Sequence, residues 1–499
     1  MEKEIRERHP DIKSYDDLPL VGCFIIFDDV ESCNTCYNDY KKSNKYTYKD
    51  RLKLLDKYNV KVEYADDPAN INWENLEVSK WESLWRSCIV LAIAIFLLLI
   101  TFILVYLMRA YQNQLPEPED CEQYIEVAFE EVNKSNEDEL NCVCMREGFF
   151  NLLSNSSKRS TCEDYIETYI LRLVVTIVVS FSVSMINYII RIVFRKLAEF
   201  ERYKSMSKEK QSIFEKQFVA VFINMAILVL LINADFQEIE VVKEISDGLG
   251  SLGTIFFNGD YDDLTRSWYT SVGLSFLILV ISTLFSNIVS TLLWEFIRLY
   301  KRRFSAKKQL LQADMNAAMI GGIFYIESKY SLTLAMIFLG SLYYGPLPLL
   351  LPLLWIYFSM QYWVDKISFL RFTRRPPHYH ANLHRSMINC LPIASMLHCG
   401  MSWWAYGLPT IYRKGVEQRN ENGDIKYYSE DRTFSERLFN ENSLPFFILF
   451  CIFFVSYVSD IIFDGYLIKK VFRINQNVDL NQEKYSEIKD KMSDFTEVS

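Results

Sequence analysis

Few residues in this chain have the type and spacing to do chemistry. The five histidines are His9, His378, His380, His384 and His398. Three of them sit in "HYHANLH", an H-x-H-x₃-H spacing that suits a metal, but the neighbours Arg374 and Arg375 are cations and no carboxylate completes a ligand set. They read as surface histidines, and no metal site is expected. Cys33-x-x-Cys36 has no second CxxC to close a zinc site, so it reads as a reduced pair on a helix. There is no phosphate-binding glycine loop, no GxGxxG and no protease motif. No catalytic residue and no cofactor, ATP included, is implied, and the chain does not read as an enzyme.

Four of the 11 cysteines, Cys121, Cys142, Cys144 and Cys162, fall within one loop of residues 110–165. An even number in a single segment predicts two disulfides in an oxidising compartment, with three pairings open. The same loop carries glycosylation sequons at Asn133-Lys134-Ser135 and Asn155-Ser156-Ser157.

The third kind of chemistry is hydroxyls and amides inside apolar helices. Thr176, Ser180, Ser184 and Asn187 follow i, i+4, i+8, i+11, which places them on an arc of roughly 80° of one helix. Ser271, Ser275, Ser282, Ser286 and Ser290 share a face about 100° wide on another. Ile278 and Leu279 interrupt that second face near its middle. A polar stripe broken by two apolar residues fits a hydrated pathway with a dewetting gate. Close helix packing explains the same hydroxyls, because they can bond their own backbone. Gly273 is a hinge or a close-packing residue. Asp260, Asp262 and Asp263, at the outer end of the second helix, either concentrate cations at a pore mouth or form a solvated acidic loop. They do not follow the EF-hand pattern.

The elements that carry these residues are apolar runs. The chain has 499 residues, 50% of them hydrophobic and 15% aromatic, and the surplus is concentrated rather than spread. Runs near 88–108, 170–190, 218–233, 268–293, 331–363, 387–408 and 444–468 match the roughly 20 residues that cross a bilayer. The 331–363 run is too long for one crossing, and "YYGPLP" (Tyr343 to Pro348) divides it with a tight turn. The expectation is an all-α polytopic membrane protein of about eight transmembrane helices spanning residues 81–468. No cleavable signal peptide is visible in the polar first 66 residues.

Charge sets the orientation. Residues 110–165 hold 13 acidic and 4 basic side chains, and residues 235–266 hold 8 and 2. Residues 191–217 carry 8 basic side chains, and residues 298–309 carry 6 with no acid. Basic loops stay in the cytoplasm, so both termini are expected there, with a tail at 469–499 and the cysteine-rich loop outside. The plasma membrane is the expected location. A net charge of −9 is a poor fit to a nucleic-acid binder, which needs basic surface to displace counterions, so no nucleic-acid partner is expected. Of the membrane-edge carboxylates Glu295, Glu327, Asp365, Asp460 and Asp464, most fall near cytoplasmic helix ends, where they can reach water or nearby Lys and Arg; Asp460 and Asp464, one turn apart, have no assigned role.

Residues 1–80 read as a cytosolic segment. "LVGCFIIFDD" has the pattern of a buried strand, "VESCNTCYNDYKK" of a short helix, and "DRLKLLDKYNVKVEYA" of a helix followed by a strand. The first piece resembles the aromatic strand of an RNA-recognition fold, so the segment is expected to be a partial RRM-like α+β domain. It lacks the basic and aromatic residues that bind RNA.

Three stretches carry a wider resemblance. Pro68-Ala69-Asn70-Ile71-Asn72-Trp73-Glu74-Asn75-Leu76 is similar to the "P-x-D-I-x-W-x-N-L" linker of the OSCA-type hyperosmolality-gated calcium-permeable channels and their transmembrane-63 relatives. "LAEFERYKSMSKEKQSIFEKQFVAVFIN" (Leu197 to Asn224) and "KYSLTLAMIFLGSLYYGPLPLLLPLLWIYFSMQYWVDK" (Lys329 to Lys366) resemble two later motifs of that family. The matches cover roughly residues 20–370 in order. The resemblance implies a mechanically or osmotically gated, nonselective, calcium-permeable cation channel with membrane lipids and permeant cations as its partners, either monomer or homodimer. It implies a pore lined by the first five spans, which would place the two stripes along it. In the wider superfamily of anoctamins and TMC proteins, the same groove in some members moves lipid head groups, so a lipid scramblase is the alternative, and a non-conducting scaffold the third. The family's upstream helices have no counterpart in this sequence, which is what a shortened form would lack.

Overall fold

The computed structural model describes residues 23–43, 62–65, 68–113, 136–235, 268–374, 382–408 and 439–462, with short pieces at 53–54, 58–59, 129, 132, 259, 261, 263–264, 418–419 and 425–426. The architecture is helical. Helix α1 is Val30–Ser43 and α2 is Lys80–Asn113. Short helices α3 (Glu137–Glu147), α4 (Phe149–Ser154) and α5 (Ser156–Thr161) lead into α6, Glu163–Glu201. Then come α7 (Met206–Asn233), α8 (Tyr269–Lys308) and α9 (Gln312–Met319). The last four are α10 (Ile326–Tyr343), α11 (Leu350–Arg371), α12 (Asn382–Tyr406) and α13 (Leu444–Ile462). Two-residue antiparallel pairs, Lys53–Leu54 with Tyr58–Asn59 and Gln418–Arg419 with Ile425–Lys426, are the strands among the described residues.

Local sequence explains where the long helices start and stop. Ser79 caps α2 by accepting the Glu82 N–H at 3.1 Å, and Glu82 holds Arg86 one turn on. The 34 residues that follow contain no glycine or proline to stop them. Helix α6 ends at Arg202, whose φ of 52° is left-handed and turns the chain into α7. Helices α10 and α11 are separated by residues 344–349, so "YYGPLP" divides the long run as expected. Gly345 allows that turn to lie against α12, where a Cβ would collide with the Ser402 side chain.

Helix α8 packs on α6 and α11, while α7 packs on α10 and α6. The main core joins them: Phe214 and Met225 of α7, Phe276 of α8, Leu339 and Tyr343 of α10, and Tyr357 of α11 are fully buried. The Tyr343 hydroxyl donates to the Ala226 carbonyl at 2.9 Å, inside a wide π-type turn of α7 at Ile223–Ile227. Outside this core, the surface is inverted relative to a water-soluble protein. On α2, Leu91, Ile95, Phe96, Leu99, Ile103 and Leu107 all face outward. Such a surface belongs in hydrocarbon, and α2, α6, α7 and α8 are each long and apolar enough to cross a bilayer. The molecule is an all-α membrane protein.

The asparagines of the 68–76 linker have a structural task. Asn70 is buried and its Oδ1 accepts both the N–H and the hydroxyl of Ser207 at 2.9 Å, while its amide donates to Ser205. Asn72 and Asn75 both donate to the Tyr203 carbonyl, at 2.9 and 3.0 Å. The linker is thus pinned to the turn between α6 and α7.

Two expectations are met only in part. Four helices, α2, α6, α7 and α8, are long and apolar enough to count as crossings among the described residues, and α10 to α13 occupy the remaining apolar runs. The RRM-like sheet is not formed among the described residues. Helix α1 falls where "VESCNTCYNDYKK" predicted it, whereas residues 23–27 form no strand with any of the described residues, and Ile25 and Ile26 are exposed. An apolar run becomes a buried strand only when neighbouring strands satisfy its backbone. The predicted helix near residue 53 is replaced by a two-residue hairpin pair.

Candidate functional site

The predicted stripes lie on α6 and α8, and the fold turns them toward each other. At mid-helix, the Ser184 hydroxyl lies 3.0 Å from both Ser282 Oγ and Thr283 Oγ1, and Ser282 Oγ also donates to the Ser180 carbonyl at 3.2 Å. All four residues are buried. Small side chains let two helices approach this closely, and their hydroxyls then bond across the gap. Several hydroxyls are also satisfied within their own helix: Thr176 to Arg172 O, Ser275 to Val272 O, Ser286 to Thr283 O and Ser290 to Asn287 O.

Cavities flank this seam on both sides. Toward the disulfide end, a cavity of about 460 Å³ is walled by Tyr165, Tyr169, Thr176, Tyr269 and Ser271 among others. Thr176 also borders a smaller one of about 50 Å³ with Ser180, Ser275 and Leu279, which has room for a few waters. At the basic end, a cavity of about 330 Å³ lies among α6, α8, α10 and α11. Ser184, Asn187, Ser282 and Ser286 line none of these three. The order along α6 is therefore cavity, small cavity, hydroxyl contact, cavity. Leu279 of the proposed gate is buried beside the small cavity, whereas Ile278 is half-buried and lines none of the three. A Cβ on Gly273 would meet Leu347 and Trp268 at ordinary contact distance, so close packing does not require glycine there, inside a wide turn of α8 at Tyr269–Gly273.

Below the hydroxyl contact the chemistry changes to amides and then charges. Asn187 Oδ1 accepts the Asn224 amide at 2.6 Å, and Asn287 donates to Gln361 Oε1 at 2.7 Å. Further along, Arg191, Arg195, Arg298, Lys329 and Glu295 line the basic-end cavity. Glu295 pairs with Arg298 at 2.7 Å and accepts the Ser368 hydroxyl at 2.7 Å. Lys329 pairs with Asp365 at 2.7 Å, and Lys210 lies 3.6 Å from the buried Glu327. Of the two partners open to these helix-end carboxylates, water or Lys and Arg, all three have a cation beside them. Arg195 rests over the Tyr325 ring at 4.0 Å and donates to Ser328 at 3.3 Å. A Cβ on Gly322 would collide with the Arg298 guanidinium, so that glycine leaves room for it.

The other predicted residues are dispersed. Cys144 and Cys162 form a disulfide with Cα atoms 5.9 Å apart, tying α3 to the start of α6. Cys142 is also disulfide-bonded, and Cys121 lies outside the described residues. Asn155 is exposed between α4 and α5, and Asn133 lies outside the described residues. Asp260 and Asp262 are likewise outside them. Asp263 is half-buried and accepts from the Leu264 N–H at 2.8 Å and the Trp404 indole at 3.2 Å, so its carboxylate engages local donors and borders none of the three cavities. His384 faces the Tyr330 hydroxyl at 2.9 Å, while His378 and His380 are not described. Cys33 and Cys36 are free thiols. No group of metal-holding side chains occurs among the described residues. The Asp460 side chain and Asp464 also lie outside them.

Sequence reading missed Thr283, Asn287 and the arginine face of α6. A signal existed: Arg191 and Arg195 stand one turn apart directly below the Thr176–Asn187 stripe, where basic residues count toward orientation but also continue the same face. A scan against protein-family models and a search of curated proteins found no match to this chain.

Proposed function

We propose that this protein is a mechanically or osmotically gated, nonselective, calcium-permeable cation channel whose permeation route follows the α6–α8 seam. The observation that carries the reading is the file of cavities along that seam, interrupted at the contact of Ser184 with Ser282 and Thr283. Hydroxyl contacts and a buried leucine form a weak closure: separating the helices trades bonds between hydroxyls for bonds to water at little net cost. Membrane tension favours the state of larger area. It would pull α6 from α8, wet Leu279 and join the cavities. Residues 68–78, pinned to the α6–α7 turn and continuous with α2, would transmit movement of the preceding segment into α6. The calcium permeability and the trigger rest on the resemblance of the three motifs.

In this reading α10 to α13 complete about eight crossings, both termini lie on the side of the basic loops, and the disulfide-bonded loop lies outside. Its partners are lipids and permeant cations, with no cofactor. The chain acts as a monomer or a homodimer.

The test is pressure-evoked current from the purified chain in liposomes. Leu279→Ser is expected to raise resting conductance, and Ile278→Ser to raise it less because that side chain stands away from the small cavity. No stretch-evoked current from the purified wild-type chain would reject the channel. The second reading is a lipid scramblase, favoured by the apolar groove that adjoins the basic-end cavity. Fluorescent-lipid exchange without ion flux would select it. Absence of both activities would leave a membrane scaffold.

A further inference from the structure

The basic-end cavity has more cations than its carboxylates can neutralise. Its ion pairs are Arg298 with Glu295 and Lys329 with Asp365, and among the described residues Arg191 and Arg195 have no carboxylate in bonding range. Arg191 is only 6% exposed, and its Nε has no hydrogen-bond partner. Across the cavity, Glu295 is also 6% exposed; its Oε1 is engaged by Arg298 and Ser368, but its Oε2 has no partner. A buried guanidinium without a carboxylate and a buried carboxylate oxygen without a donor are both costly, so both atoms call for a ligand. Arg191 wants an anion, and Glu295 Oε2, whose charge Arg298 already meets through Oε1, wants a hydrogen-bond donor.

The cavity also has an apolar annex. A groove of about 370 Å³ between α8 and α11 shares Thr291, Glu295 and Ser368 with it. The groove continues over Leu292, Phe296, Leu299, Val364, Ile367 and Phe372, and Leu292, Phe296 and Ile367 are open to the exterior. A charged chamber opening onto a greasy, outward-facing groove matches a molecule with an ionic head and a hydrocarbon tail.

We infer that the basic-end cavity binds the head group of an aminophospholipid from the adjacent leaflet, with an acyl chain in the α8–α11 groove. The phosphate diester meets the guanidiniums of Arg191 and Arg195, one turn apart, and the primary ammonium donates to Glu295 Oε2. A serine head group adds a carboxylate for the second guanidinium and fits the two spare cations better than ethanolamine does. A choline head group has no N–H to offer Glu295. This site does not depend on ion conduction.

The experiment is native mass spectrometry of the purified full chain in detergent, mixed with dioleoyl lipids of serine, ethanolamine, choline or glycerol head group, or with sodium phosphate alone. Serine and ethanolamine lipids are expected to be retained about tenfold better than choline lipid, one added charge-assisted hydrogen bond. Arg191→Gln should lower retention of every phospholipid by about tenfold, whereas Glu295→Gln should bring the amino-lipids down to the choline level. Ile367→Trp fills the groove from its exposed side without touching the charges, and should weaken retention while keeping the head-group order. Lys196→Gln, on the exposed surface, should change nothing. Equal retention of all four head groups by the wild type would overturn the proposal. So would phosphate alone competing as well as the serine lipid, or Ile367→Trp leaving retention intact. Because binding is read without current, a silent channel and an empty site give different results.

Discussion

Two stretches of the α6–α8 interface contrast sharply. In its middle, the facing residues are small and neutral (Thr176, Ser180, Ser184, Ser275, Ser282), and the helices close until only about 50 Å³ remains beside them, with the cavity of about 460 Å³ lying beyond toward the disulfide end. Toward the basic end the facing residues are Tyr188, Arg191, Arg195, Trp294 and Arg298, and the helices stand around a chamber of about 330 Å³. The same helix pair makes both. Hydroxyls are short and can turn back onto their own carbonyls, so two serine faces approach closely at little cost. Guanidiniums and indoles cannot fold away, and their charges need partners at a distance from the backbone. One stretch makes a seam and the other a chamber, and the change occurs within two turns, between Ser184 and Arg191.

If this contrast is right, mutations should hurt most in the charged stretch. Glu295→Ala leaves Arg298 and Ser368 without their shared acceptor and should lose about 3 kcal/mol, read as unfolding by titrated denaturing detergent in bicelles. Asn187→Leu sits at the boundary; it strips Asn224 of its acceptor and should cost about 2 kcal/mol in the same assay. Ser184→Val, in the seam, removes a hydroxyl from a three-way contact and adds a methyl where the helices touch, for about 1 kcal/mol, with a rise in resting current if the seam gates conduction. Ser286→Ala, whose hydroxyl bonds only its own helix, should stay within about 0.5 kcal/mol. A reversed order, with Ser184→Val costing more than Glu295→Ala, would mean that the seam rather than the ion pairs holds the bundle together.

The linker offers a separate check. Asn70→Ala removes three hydrogen bonds to the α6–α7 turn and should loosen it by about 2 kcal/mol. Amide hydrogen exchange at Ser205 and Ser207 is the readout, and unchanged protection there would show that the pin is dispensable.

How much was legible depended on how local the signal was. The division of the long run at residues 344–349 was legible because glycine and proline act on their own backbone. The disulfide-rich loop was legible because four cysteines crowd one segment, and Cys144 with Cys162 is one of the pairings left open. The strand expected at residues 23–27 was less legible, because an apolar run says nothing about whether a neighbouring strand exists to receive it, and none does among the described residues. Arg191 was read as a mark of orientation, because its place on the stripe's face is visible in the sequence but the packing of α8 and α11 over that face is not.

The sequence alone determined the long apolar helices, their breaks, the basic and acidic ends, and two hydroxyl stripes each on one face. Only the tertiary structure decided that the stripes meet at Ser184 and Ser282, that Asp263 turns to Trp404 rather than to a cavity, and that Arg191 and Glu295 each keep an unpartnered atom in the same chamber. Hydropathy and periodicity fix what one helix buries. Which face of a second helix it meets is a matter of rotation by about 100° per residue, and that is set by the packing of the whole bundle.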